Sequence, residues 1–348
     1  MRGVHILGVG STSFSGAGRT ERALVRAAVS SALVDAGLKA TDVDAVVLGA
    51  PTCVGPVLDV LEASKRAGPP VCVSGAAALH VGWQDVANGG HDVVLCVAHG
   101  GGGDEHGIAP EALAAEARQY MASSGATEQH FARVAAKNRA QGAHNPRALL
   151  TATVGQEAVL ASEVVVWPLR RLMLAERSDG AAAVVFGSGE TRRRSGAVGP
   201  RVLASVLVRG AADGMLAASA RAARLAYQVA GLGPEDLDCA ELDDRSAARE
   251  IAAYEALQLA PEGRGPDLVE SGFTARGGVL PVNTSGGALA QGDADGAFGV
   301  AQVCELAWQL RGEAERRQVA GAHAGLALTG GRESDGRALA SLTILGTG

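Results

Sequence analysis

Aromatic side chains supply only 3% of the 348 residues, and three lysines stand against 28 arginines. A core with so few rings must close by bringing backbones together, which 48 glycines and abundant alanine permit. The arginine bias reads as the imprint of a GC-rich genome and carries no binding argument. No run of 18 apolar residues occurs, so no helix is expected to span a bilayer. The opening MRGVHILGVGSTSFSG is too short and too broken by glycine for a signal peptide, and it reads as a strand. Five cysteines (Cys53, Cys72, Cys96, Cys239, Cys304) form an odd set without a CxxC pair. That argues against a disulfide framework and a structural zinc, and it fits a reducing, cytoplasmic location. A net charge of −6 leaves no basic excess for a nucleic-acid backbone. What remains is a chain of 47% hydrophobic residues, with a core large enough for about two domains.

Short apolar runs alternate with amphipathic stretches throughout, the pattern of an α/β protein. Strands are expected at Val4–Val9, Asp44–Leu48, Pro70–Val73, Asp92–Ala98 and Ala181–Phe186. Helices are expected at Arg22–Ala36, Val57–Arg66, Gly75–Val86, Pro110–Ala122 and Glu128–Gln141. The polar, glycine-rich segment 187–200 reads as a linker. Beyond it the expected order is strand Arg201–Arg209, helix Gly214–Ala230, strand Leu237–Leu242 and helix Ser246–Leu257. Val279–Val282 follows, then a helix over Gly296–Arg311 and strands near Val319–Ala324 and Ala338–Leu345. The implied division is 1–190 and 195–348, with an irregular insertion over 99–177.

Two stretches share one design. From Gly75 and from Gly296, small residues open a helix, a polar turn follows, and a strand finishes on Ala-His-Gly or Ala-His-Ala-Gly. A repeat over half the chain predicts two similar halves packed face to face, with these two helices buried between them.

Cys72 is the sharpest chemical candidate. In VCVSGAAALH it closes a short strand directly before a Gly/Ala-rich helix, whose amino-terminal amides favour a thiolate. The other four cysteines lie within apolar patterns and read as small core hydrophobes. GVGSTS (8–13) lacks the third glycine of a dinucleotide loop. His99, Asp104, Glu105 and His106 flank a glycine run, but no spacing there fixes a coordination geometry, so no metal is expected. Arginines 192–194 read as a solvated charge run.

The order of motifs resembles the thiolase superfamily, in particular its sterol-carrier-protein-x or lipid-transfer-protein type. CVSGAAAL is similar to the nucleophile motif, and ATEQHFARVAAKNRAQGAHNPRA resembles the insertion-region helix. SDGAAAVVF resembles the strand closing the first half, LPVNTSGGALAQG the pantetheine-side loop, and GAFGVAQVCELAWQLRGEA the central helix of the second half. The resemblance implies a five-layer αβαβα fold and an acyl thioester of coenzyme A or phosphopantetheine as substrate, with no bound cofactor. It also implies an acyl-enzyme on Cys72, with backbone amides of Cys72 and Gly330 as an oxyanion hole. Asn283, Ser285 and Gly286 are then expected to line the pantetheine channel.

The departures are severe. The family's Gly-His-Pro-x-Gly-Ala is here Gly292-Asp293-Ala294-Asp295-Gly296-Ala297, and its His-Asp-Cys-Phe is Asp243-Asp244-Arg245-Ser246. Its Cys-Cys-Pro turn becomes Ala175-Glu176-Arg177. Claisen condensation needs a base matched to a weakly acidic carbon, and Asp293 or Asp243 would serve only with a pKa raised by burial. Ordinary thiolase chemistry is therefore not expected. The leading reading is a divergent acyltransferase or condensing enzyme of lipid or secondary metabolism working through Cys72, with His323 as its proton partner and Asp293 or Asp243 orienting it. Another is retro-aldol cleavage of an acyl-CoA without an acyl-enzyme, and a third is a non-catalytic subunit. Segments 44–72 and 99–120 are shorter than is usual for the family, trimming its dimer contacts and acyl-chain lid. The resemblance implies a homodimer and a small OB-fold, zinc-ribbon partner that closes the site.

Overall fold

The structure is a computed structural model describing residues 1–16, 18–49, 53–61, 69–101, 108–210, 214–332 and 337–347. Its first half runs β1 (Val4–Ser11), α1 (Glu21–Asp35), β2 (Ala45–Leu48), α2 (Val54–Leu61), β3 (Val71–Cys72), α3 (Gly75–Asn88) and β4 (Val93–Gly100). An insertion follows, with α4 (Pro110–Ser124), α5 (Glu128–Gly142), α6 (Gln156–Ala161) and a hairpin of β5 (Val164–Val166) and β6 (Leu169–Arg170). Next come β7 (Gly180–Ser188), α7 (Gly189–Ser195), β8 (Arg201–Arg209), α8 (Gly214–Ala230), β9 (Cys239–Leu242), α9 (Ala247–Ala256) and α10 (Gly265–Glu270). The chain closes with α11 (Gly287–Gln291), α12 (Gly296–Arg311), β10 (Ala324–Arg332) and β11 (Ala338–Gly346).

Nine strands join in the order β3-β2-β4-β7-β1-β8-β11-β10-β9. The two halves of this sheet meet through a single residue pair, His5 opposite Arg201. Helices α3 and α12 pack on strands of both halves, whereas α1 covers only the first half and α8 only the second. The layers therefore run helix, sheet, paired helices, sheet, helix, as the resemblance implies. Helix α12 shows why it takes the middle: 13 of its 16 residues are buried, and apolar residues ring it on every side. Two of its buried polar residues find partners near its carboxyl end. Gln309 donates to Thr284 and the Arg317 carbonyl, and Glu305 pairs with Arg317 at 2.9 Å.

Several sequence expectations are corrected. Segment 187–200, which joins β7 to β8, is not irregular: β7 continues to Ser188, whose hydroxyl caps α7, and Arg192–Arg194 occupy that helix's last turn. There they oppose the negative end of the helix dipole. Val279–Val282 forms no strand, only one bridge between Val282 and Ala240. The last repeat element is also shifted, because β10 begins at Ala324, where the expected strand ended. The "Ala-His" of the first half therefore closes β4 at His99, while that of the second precedes β10 at His323. The expected helix Val57–Arg66 starts earlier, at Val54, and its end beyond Leu61 lies outside the described residues.

Candidate functional site

The repeat brings the beginnings of its two helices together. A Cβ on Gly75, first residue of α3, would fall 2.2 Å from the Cα of Gly296, first residue of α12. Only glycine permits that approach. At the next residue, a Cβ at Gly331 of β10 would meet the Ala76 methyl at 3.1 Å. Thus the end of β10 lies beside the start of α3, and the loop after β9 faces it.

That loop holds a buried chain of charge. Arg245 donates through Nε to Asp293 Oδ2 at 3.1 Å and through Nη1 to Asp243 Oδ2 at 2.9 Å. The same Nη1 reaches the Gly330 carbonyl at 3.0 Å. Arg249, four residues along and therefore on the same face of the chain entering α9, donates to Asp243 at 2.9 Å and holds Glu116 of α4 with two bonds. Burial alone would raise the Asp243 carboxyl, but the guanidiniums of Arg245 and Arg249 outweigh it and hold it below its ordinary value. The raised pKa required of Asp243 as a base is absent. Burial likewise opposes charge on Arg245, yet Asp243, Asp293 and Asp295 fix its proton firmly.

Two cavities adjoin this chain. One of about 190 Å³ lies between α4, α8 and α9 and includes Asp243, Arg249 and Gly330 in its wall. The other, of about 570 Å³, is lined by Arg171, Glu176, Arg177, Arg245 and Asp293 among others. The Asp243–Arg245 bond is the partition between them. Residues 175–177 enter this wall because Asp293 is laced to them: its amide donates to the Glu176 carbonyl, and its carbonyl accepts from Ser178.

Three of the residues singled out from sequence, Asp243, Asp293 and Gly330, thus meet on one guanidinium. Arg245, which the sequence offered as a lost cysteine able to offset the charge of Asp243 and Asp293, is the hub of this network. The four-residue spacing of Arg245 and Arg249 was the available signal, whereas Glu116 and Met215, from other elements, left none. Cys72 is exposed at the end of edge strand β3, three residues before Gly75. Among the described residues its thiol has no hydrogen-bond partner, and it lines neither cavity. His323 is not brought to the site. It sits at the opposite end of β10, roughly 20 Å along the strand from Gly330, exposed, with Nδ1 3.3 Å from Thr347 Oγ1.

The residues expected along a pantetheine channel are interior instead. Asn283 is fully buried, accepting from the Leu242 amide and donating to Glu250. Ser285 donates to Glu241, and Gly286 has φ +97° against the Gly142 backbone. They shape the wall behind β9 and line neither cavity. For a metal, Asp104, Glu105 and His106 lie outside the described residues. Among the described ones no group of three His, Cys, Asp or Glu is placed to hold an ion.

Comparison with known proteins agrees with this architecture. Residues 204–344 match the thiolase C-terminal domain-like family. The chain is 33% identical to an acetyl-CoA acetyltransferase of Methanothermobacter thermautotrophicus, over 94% of this chain and 95% of that relative. It is 30% identical to human sterol carrier protein 2, over 94% of this chain and 69% of that protein. Among solved structures, an Ltp2-ChsH2(DUF35) aldolase superposes with a TM-score of 0.85 at 24% identity, covering 99% of this chain and 98% of that one. The chain belongs to the thiolase superfamily. Within it, sterol carrier protein 2 and lipid-transfer proteins are among its relatives.

Proposed function

We propose that the chain cleaves, or in reverse forms, the bond between the α and β carbons of a β-hydroxyacyl thioester of coenzyme A. The observation that carries this reading is the Arg245 guanidinium held between Asp293 and Asp243 at a cavity wall, whereas the Cys72 thiol, among the described residues, has no hydrogen-bond partner and lines neither cavity. Asp293 takes the proton of the β-hydroxyl. The Cα–Cβ bond breaks, its electron pair moves into the thioester as an enolate, and Arg245 meets that charge. Protonation at Cα releases a shortened acyl-CoA beside an aldehyde or ketone. Asp293 is suited to the base role by its contacts: one guanidinium and the Asp295 amide leave carboxylate lone pairs toward the cavity.

The second reading is acyl transfer through Cys72, favoured by the exposure of that thiol just before the start of α3. One experiment separates the two. Incubation with β-hydroxyacyl-CoAs should give cleavage that survives Cys72→Ala, falls at least 100-fold in Asp293→Asn, and leaves no acyl adduct by intact mass. An adduct lost together with turnover in Cys72→Ala establishes acyl transfer instead. Absence of both across a panel of thioesters leaves a non-catalytic subunit. A homodimer is supported by the place of β3 at an edge of the sheet among the described residues, and a second, different subunit by the pairing named for the superposed aldolase. Light scattering that finds a lone monomer at micromolar concentration would falsify the dimer.

A further inference from the structure

We infer that the cavity of about 190 Å³ between α4, α8 and α9 receives the acyl group, and that it selects an uncharged group of about one six-membered ring. This rests on the coenzyme A thioester reading above. The volume comes first: a protein cavity of about 150 Å³ is known to admit benzene, and this one, open on one side, has room for a ring.

The chemistry of the wall comes second. Ala248, Ala252 and Ala253 of α9 present methyls to it, facing Met215 and Leu216 of α8. Its hydroxyls have their protons engaged elsewhere: Tyr120 donates to Glu255, Ser123 to the Tyr120 carbonyl, and Ser219 to the Met215 carbonyl. What faces the space is therefore mostly carbon, except for Gln119 and the Glu116–Arg249–Asp243 end. There the Arg249 guanidinium is already engaged by Glu116 and Asp243. An acyl group ending in its own carboxylate would meet two carboxylates and a guanidinium whose donors are taken.

The position comes third. Asp243 and Gly330 line this cavity while their partner Arg245 lines the larger one, so a thioester at the partition has its acyl group in the small space and its carrier in the large. Met215 stands at the junction: a Cβ on Gly330 would fall 2.2 Å from its methyl. Met215 and Ala252 therefore set the size.

Isothermal titration of the full chain with coenzyme A, cyclohexanecarbonyl-CoA, glutaryl-CoA and 2-naphthoyl-CoA tests this. Wild type should bind the cyclohexane thioester at least tenfold tighter than the glutaryl one. Ala252→Phe should lose at least tenfold for the cyclohexane thioester while binding of coenzyme A itself is unchanged. Met215→Ala, which enlarges the space, should gain at least threefold for the naphthoyl thioester. Equal affinity of wild type for the cyclohexane and glutaryl thioesters overturns the proposal. So does an unaltered ligand preference in both variants. Should no coenzyme A species bind wild type, the thioester reading has failed by itself. Cyclohexanone, followed by protein NMR, then decides the cavity: shifts at Ala252 and Met215 that vanish in Ala252→Phe support it, and none overturns it.

Discussion

Three buried carboxylates leave the end of β9 within four residues, and they meet opposite fates. Glu241 and Asp244 are sealed. Glu241 accepts from Thr284 and from the Ser285 amide and hydroxyl, and burial with the nearby Glu305 charge pushes its pKa up to about 7. Asp244 accepts from the amides of Ala288 and Leu289 and from Asn138. Burial, reinforced by Glu250, raises it well above the carboxylate range despite those bonds. Asp243 alone faces a cavity and alone touches two guanidiniums, and it alone is depressed. Burial is common to all three, so the neighbouring charge decides the direction. Neutral donors can satisfy a carboxylate structurally, but a charge that must stay ionised beside a ligand needs cations.

The contrast can be broken most sharply at Glu250, which gathers Lys137 at 2.6 Å together with Asn138, Asn283 and Tyr254 in the sealed knot. Glu250→Ala strands several buried donors at once and should cost about 3–5 kcal/mol in urea unfolding. Arg245→Met removes a partner from Asp243 and Asp293, but cavities on both sides admit water, so its cost should be smaller, about 1–3 kcal/mol. An Arg245→Met penalty equal to that of Glu250→Ala would show that the two regions are energetically alike.

The Glu241 shift is read through pH. Between its ordinary value near 4.5 and about 7 the folded chain holds a proton that the unfolded chain has released. This group's contribution to stability therefore falls as pH rises through that window and is constant above it. Glu241→Gln should lose about 1–3 kcal/mol less than wild type between pH 5 and pH 8. An unchanged slope would mean that Glu241 is not protonated in the fold. The mildest test is Glu116→Gln at the half-buried rim of the open network, where the Arg249 pair is partly solvated. A loss of about 0.5–1 kcal/mol is expected from chemical denaturation.

How far this was legible beforehand varies along the chain. Arg201–Arg209, Gly214–Ala230 and Gly296–Arg311 were readable to the residue, since long periodic runs ended at clear breaks. The central place of α3 and α12 followed from small residues repeated at both helix starts. His323 misled because AHAGLALTGG stands where the family keeps a functional loop, although the apolar run that makes β10 begins only after it. Asn283 and Ser285 misled for another reason: a polar loop motif carries no sign of whether its side chains turn outward or cap β9 from within.

Local spacing by itself determined the alternation of strands and helices and the doubled central helix, because periodicity and small-residue runs are properties of neighbours in the chain; Asp243, Asp293 and Gly330 were pointed to by the resemblance of their motifs to those of the thiolase family. Only the tertiary structure decided that Arg245 binds all three, that Glu116 from the insertion joins through Arg249, and that His323 stands apart. Charge pairing and cavity shape depend on side chains dozens of residues apart, and their directions are set by packing rather than by order.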